Sequence, residues 1–198
     1  MKQTYSINLG GMVFNIDDDA YQVLKKYLEQ IEVHFANTSE RQEIMADIEA
    51  RIGELFQERN KASNRAIDLK EVESVIRILG DPDEIGESEN GSAPKSKEKY
   101  RSSSSRRMYR DPDNRILGGV CSGMGAYWQI DPLVFRIIFV ITIFGFVGPI
   151  IYLILWIVIP EAKTTAQKLE MKGEPVNISN IGKSVKEEFE NVKTRMNL

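Results

Sequence analysis

The sequence predicts an α+β chain. A small soluble unit of one β-hairpin plus three helices comes first. A flexible linker follows, then an α-helical membrane segment made of an interfacial helix and a kinked transmembrane helix. Three observations carry this reading. Two runs of period-2 alternation flank Gly10-Gly11, three stretches of apolar residues at helical spacing follow them, and the 23 residues from Ile137 to Ile159 carry no charge. Alternation reads as strand, 3.6-residue spacing as helix, and 18 or more apolar residues as a membrane helix.

In the hairpin, Tyr5, Ile7 and Leu9 face one way, as do Met12, Phe14 and Ile16. Gly-Gly supplies the positive φ angles of a tight turn. A lone hairpin is marginal in water, so its apolar face needs a partner. Asp17 to Asp19 can cap a first helix with Tyr21, Leu24, Leu28, Ile31 and Phe35 inside. Ser39, with Gln42 three residues on, can box a second helix carrying Ile44, Ile48, Ile52, Leu55 and Phe56. A polar loop runs from Asn60 to Arg65. Asp68 caps a third helix with Val72, Val75, Ile76 and Leu79, ended by Gly80 and Asp81-Pro82. The unit spans residues 1–86.

Charge divides the chain. The net charge is −3, but the first 90 residues hold 10 Lys+Arg against 19 Asp+Glu. The excess of acids argues against nucleic-acid binding, which needs clustered Lys and Arg. Glu40, Glu43, Asp47, Glu54 and Glu58 fall on outer helix faces and read as solvated surface. One histidine, His34, and one cysteine, Cys121, leave no zinc site and no intrachain disulfide. No cofactor motif and no nucleophile–base set is present, so an interaction module is expected rather than an enzyme. The N-terminal sequence lacks the apolar core of a signal peptide.

Residues 87–107 are rich in Ser, Gly and charge and cannot bury a core, so they read as a basic flexible linker. Eight Lys and Arg fall between Lys95 and Arg115. A polybasic tract beside a membrane is drawn to anionic lipid.

The membrane domain is placed at residues 108–162. The glycines of Arg115 to Pro132 fit neither the dinucleotide fingerprint nor a P-loop. On a helix, Gly119, Ser122, Gly123 and Ala126, next to Gly118, form a small-residue stripe of the kind that lets helices approach closely. Tyr127 and Trp128 are interface formers. A short interfacial helix over Ile116 to Ile130 is expected. Cys121 within it reads as a free structural thiol, since no resolving cysteine exists.

Asp131-Pro132 restarts a helix. Arg136, the one charge in the apolar run, can snorkel to the basic side or meet an acidic partner. Leu133 to Ile159 as one helix would be roughly 40 Å long against a hydrocarbon core of about 30 Å. Gly145, Gly148 and Pro149 sit at its middle and predict a kink in a single span. The alternative is a re-entrant hairpin turning at Phe146 to Pro149. Residues 163–198 read as a polar tail with an amphipathic helix over Lys183 to Leu198, carrying Val185, Phe189, Val192 and Met196.

Met108 to Ala162 resembles the PspC domain of the phage shock protein C family. The carriers are Arg115, Leu117, Gly118-Gly119-Val120-Cys121, Gly123, Tyr127, Asp131-Pro132, Arg136 and the ending YLILWIVIP at Tyr152 to Pro160. The resemblance implies a bacterial inner-membrane protein linked to envelope-stress signalling, acting through contacts and not catalysis. The acidic N-terminal unit looks like the layout of PspC-domain proteins of the Bacteroidetes type. The short phage shock protein itself has the domain near its N-terminus.

The excess of Lys and Arg before the apolar run places the N-terminus in the cytoplasm by the positive-inside rule. The expected partners are membrane lipids, a cytoplasmic regulator held by residues 1–86, and, as a second reading, another copy of the chain packed through the small-residue stripe.

Overall fold

The structure, a computed structural model, describes residues 3–60, 65–82, 106–143 and 147–196. The chain divides into two compact units, one of residues 1–102 and 176–198 and one of residues 103–175.

In the first unit, β1 (Thr4–Leu9) and β2 (Met12–Asp17) pair antiparallel, with Tyr5 opposite Ile16, Ile7 opposite Phe14 and Leu9 opposite Met12. That register puts the predicted apolar set on one face. Gly10 and Gly11 both have positive φ, 56° and 82°. Two helices, α1 (Asp18–His34) and α2 (Arg41–Asn60), pack on the hairpin, and α3 (Leu69–Leu79) packs on both of them. Ile16, Leu24, Ile31, Ile44, Ile48, Ile52, Phe56, Val72, Val75 and Leu79 form the buried core. α3 starts at a full capping box: Glu71 N–H donates to Asp68 at 2.9 Å, and Asp68 N–H donates to the Glu71 carboxylate at 3.1 Å. α2 begins without the expected box. Ser39 donates instead to the neighbouring Glu40 carboxylate.

Two features were not foreseen. Ile67 joins the edge of β2, accepting from Asp17 N–H at 3.0 Å and donating to Asn15 at 2.8 Å. The C-terminal helix α8 (Ile178–Arg195) also belongs to this unit and packs on α2. It starts five residues before the predicted Lys183, capped by Asn177, whose side chain accepts from Asn180 N–H at 2.8 Å. Ile178, Ile181 and Val185 are buried. A Cβ on Gly182 would stand 2.9 Å from the Phe35 ring, so glycine lets the helix seat there.

The second unit holds α4 (Val120–Trp128), α5 (Pro132–Ile143), α6 (Val147–Val158) and α7 (Thr165–Lys172). α4 is shorter than predicted because Gly118 and Gly119 take positive φ, 57° and 78°, and turn the chain before the helix starts. α7 was not expected. Its start at Thr164, whose hydroxyl accepts from Gln167 N–H, and its stop at Gly173 are both local signals.

The single kinked span is corrected. The apolar stretch forms two 12-residue helices that pack on each other. Phe139 meets Tyr152, and Thr142 meets Gly148, so α6 runs back along α5. The alternative hairpin also folds back, but with its turn predicted at Phe146 to Pro149, and Val147 to Pro149 lie inside α6. Each helix is about 18 Å long at 1.5 Å per residue. Among the described residues, no helix is long and apolar enough to cross a membrane.

Candidate membrane-facing site

The second unit is built around a crossing of its two ends. Arg110 N–H donates to Pro160 at 2.8 Å and Ala162 N–H donates to Arg110 at 3.0 Å, so the segments before and after the hairpin pair as a short parallel bridge. The Arg110 guanidinium lies across this junction. Its Nε donates to the Ile159 carbonyl and its Nη1 to the Gly118 carbonyl, both at 2.9 Å. Nη2 is 3.6 Å from Glu161, and the guanidinium carbon is 5.9 Å from the Trp156 ring centre. Arg115 reaches the same Glu161 at 3.8 Å.

Beside it, Asp111 folds its loop: one carboxylate oxygen accepts from Asp113 N–H at 2.9 Å and the other from the Asn114 amide at 3.1 Å. Tyr109, Ala162 and Met171 form a small core, with Ala126 of α4 packed against it. The Tyr109 hydroxyl donates to buried Glu170 at 3.2 Å.

The predicted small-residue stripe is occupied by this loop. A Cβ on Gly119 would overlap the Asp111 carbonyl, and one on Gly123 the Tyr109 carbonyl. Ser122 donates to the Asn114 carbonyl at 2.9 Å. A Cβ on Gly118 would stand 2.6 Å from the Trp156 indole. The stripe thus lets the 109–114 backbone lie directly on α4. Tyr127 and Trp128 meet edge to face, and Trp128 stacks on Phe135 of α5 at 5.4 Å. Cys121 is half-buried, and burial pushes its thiol pKa up.

The hairpin carries the apolar surface. Leu133, Val134, Ile137, Ile138, Val140 and Ile141 on α5, and Ile150, Ile151, Leu153, Ile154, Ile157 and Val158 on α6, are all exposed, Ile157 at 71%. Soluble monomers rarely leave so much contiguous apolar surface open, and such patches mark membrane or protein contacts. Polarity is graded along the hairpin. The base holds Arg110, Arg115 and Glu161. Arg136, one turn into α5, donates back to the Asn114 carbonyl at 3.2 Å. Tyr152 of α6 donates to the Leu117 carbonyl. Toward the tip, Gly148 packs on Thr142, and Pro149 is exposed. Gly145 lies outside the described residues, as do residues 87–105 of the predicted linker.

Sequence reasoning passed over Arg110, Asp111, Glu161 and Glu170. Glu161 is the first acid after the apolar run, and Arg110 and Arg115 are among the last bases before it. In a straight span these groups would stand roughly 40 Å apart. Only the fold-back makes them neighbours.

The second unit is thus an apolar helical hairpin on a polar, cross-braced base. Residues 106–162 match the PspC domain family, so this stretch is a PspC domain. That domain is typically membrane-associated in bacteria and suggests a phage-shock, envelope-stress-related role. Neither a curated protein nor a solved structure matches the chain.

Proposed function

We propose that this chain is a bacterial envelope-stress signalling or scaffold protein of the inner membrane that works through protein and lipid contacts and not catalysis. Its PspC domain seats in the cytoplasmic leaflet as a re-entrant hairpin. The observation that carries this is the exposed apolar hairpin on its polar base. Half of a roughly 30 Å hydrocarbon core is about 15 Å, which a helix of about 18 Å covers with its base at the headgroups. Arg136 and Trp128 at the base are types that settle at that level.

The packing of α8 on α2 supports the same topology. The hairpin, α1, α2, α3 and α8 fold together, so they occupy one compartment. A single crossing between them would part them. A re-entrant hairpin keeps both in the cytoplasm, where the basic tract before the domain also belongs.

The acidic unit is then the part that holds a cytoplasmic regulator. A groove of about 430 Å³ on it has Ile7, Leu24 and Met45 in its wall, with Glu29, Glu32 and Glu49 among its lining groups. Lys25 also lines it and pairs with Glu29, and Glu32 pairs with Arg41, both at 3.9 Å, so the groove suits a mainly apolar partner segment. The layout resembles PspC-domain proteins of the Bacteroidetes type.

Reporter fusions test the topology. A phosphatase that is active only after export, fused behind Leu198, is expected to stay inactive, and a fluorescent protein there to shine. An active phosphatase fusion would sink the re-entrant reading. Purified full-length chain is also expected to float with lipid vesicles.

A further inference from the structure

One side of the hairpin is not a smooth apolar face. A groove of about 680 Å³ runs along α5 and α6 under the loop that leads into α4. Phe139 and Val140 of α5, Pro149 and Leu153 of α6, and Ile116 and Leu117 of the loop give it apolar walls. At the base end it is lined by Arg136, Ser122 and Cys121. The other arginines of the base have a carboxylate: Arg110 and Arg115 both reach Glu161. Arg136 has none among the described residues. Arg136 donates to the Asn114 carbonyl at 3.2 Å, and its remaining N–H groups can still donate. A cation one turn into an apolar helix calls for an anion.

We propose that this groove binds one acyl chain of an anionic glycerophospholipid, with the phosphate of that lipid on the Arg136 guanidinium. The occupant follows from the order of groups along the groove: apolar walls toward the tip and an uncompensated positive charge at the base. A guanidinium matches a phosphate through paired N–H···O bonds, and a lipid delivers that phosphate at the depth of the hairpin base. The bound lipid fills the space beside α4 and joins the loop, α5 and α6 through one ligand. Membrane attachment then becomes sensitive to the headgroup composition of the leaflet. The proposal rests on the re-entrant reading above.

Cys121 lines the groove and is the only thiol of the chain, so its alkylation reports occupancy. Full-length protein in non-ionic micelles is treated with a maleimide after addition of phosphatidylglycerol, or of phosphatidylcholine with the same chains. Phosphatidylglycerol is expected to slow alkylation about fivefold more than phosphatidylcholine, the scale of one basic charge meeting anionic lipid. Arg136→Gln is expected to abolish the difference, and Arg136→Lys to keep most of it. Val140→Trp, which fills the groove, is expected to remove protection by both lipids. Equal protection by the two lipids, or a headgroup effect that survives Arg136→Gln, overturns the proposal. Vesicle flotation separates the two readings. Loss of flotation in the unmodified chain removes the membrane reading, whereas flotation without headgroup-dependent protection removes only the lipid site.

Discussion

The ring of Phe139 meets the ring of Tyr152 edge to face, with centroids 5.2 Å apart. Thirteen residues separate them, so in a straight helix they would stand about 20 Å apart. The contact defines the hairpin, and a second pair makes it testable. An ideal Cβ on Gly148 stands 3.0 Å from the Thr142 Cβ and 2.8 Å from the Thr142 carbonyl carbon, so a shift of under about 1 Å brings the pair to the ~3.8 Å of a disulfide. Thr142→Cys with Gly148→Cys, in a Cys121→Ser background, is expected to close an intramolecular disulfide under mild oxidation. In one continuous helix the two positions would be about 9 Å apart, and no bond would form. Mobility on a non-reducing gel after proteolysis between the pair reads the result.

Gly123 sits so close to Tyr109 that a Cβ would overlap the Tyr109 carbonyl. Gly123→Ala is therefore expected to destabilise the PspC domain by about 1–3 kcal/mol, the range for overpacking. Both tryptophans, Trp128 and Trp156, lie in this unit. Their fluorescence during urea unfolding reports the domain without interference from the acidic unit. An unchanged midpoint would refute the close packing of this loop on α4. The same contact means that leucine at Gly119 or Gly123 disrupts the domain itself, so those variants cannot serve as a clean test of self-association.

The N-terminal unit was legible because its signals are local. Gly10-Gly11, the Asp68 cap and the helical spacing of Ile44, Ile48 and Ile52 each act within a few residues, and the register then follows. What was missed depends on distant contacts. The seat of α8 on α2 needs Phe35 and Gly182 to meet, and nothing near either residue announces it. Likewise, the Gly119–Gly123 stripe predicts the approach of another helix, whereas the backbone of a loop lies there. It could not say that the neighbour is the chain's own Tyr109–Asn114 loop. Hydropathy predicts one span over the apolar run because it records length and not direction. Gly148 and Pro149 lie in the first turn of α6, and the contact of Thr142 with Gly148 shows the reversal that hydropathy cannot record.

In the acidic unit, Tyr27 bridges α1 and the end of α3. Its hydroxyl donates to the Gly80 carbonyl at 2.7 Å, and burial, with Asp81 adding to it, raises its pKa well above the ordinary value near 10. Tyr27→Phe is expected to cost about 1 kcal/mol in chemical unfolding followed by circular dichroism. The sign of the pH effect follows from the raised pKa. The neutral phenol is the folded form, so its contribution is complete below pH ~10 and is lost as pH rises above that value. Tyr27→Phe should flatten the alkaline loss of stability, and a wild-type slope in the variant would assign that loss to other groups.

Arg110 provides the last prediction, because its geometry separates charge from shape. The guanidinium reaches the Ile159 and Gly118 carbonyls with different nitrogens, both at 2.9 Å, while its ion pair with Glu161 is longer at 3.6 Å and partly exposed. A lysine keeps the charge but cannot reach both carbonyls, which stand at the end of α6 and the start of the α4 turn. Hydrogen bonds from a charged donor contribute about 1.5–3 kcal/mol each, whereas part-exposed ion pairs contribute about 1 kcal/mol or less. Arg110→Lys is therefore expected to lower the stability of the PspC domain by at least about 1.5 kcal/mol in tryptophan-monitored urea unfolding. Glu161→Gln, which removes the ion pairs with Arg110 and Arg115 and leaves the carbonyl bonds intact, is expected to cost less than about 1 kcal/mol. The order of the two variants is the decisive result. If Glu161→Gln were the more damaging, the crossing of the two ends would be held by charge, and high salt would weaken the domain. With the expected order, salt leaves the unfolding midpoint of the unmodified chain nearly unchanged, because the junction is fixed by the fork of the guanidinium between two backbone carbonyls.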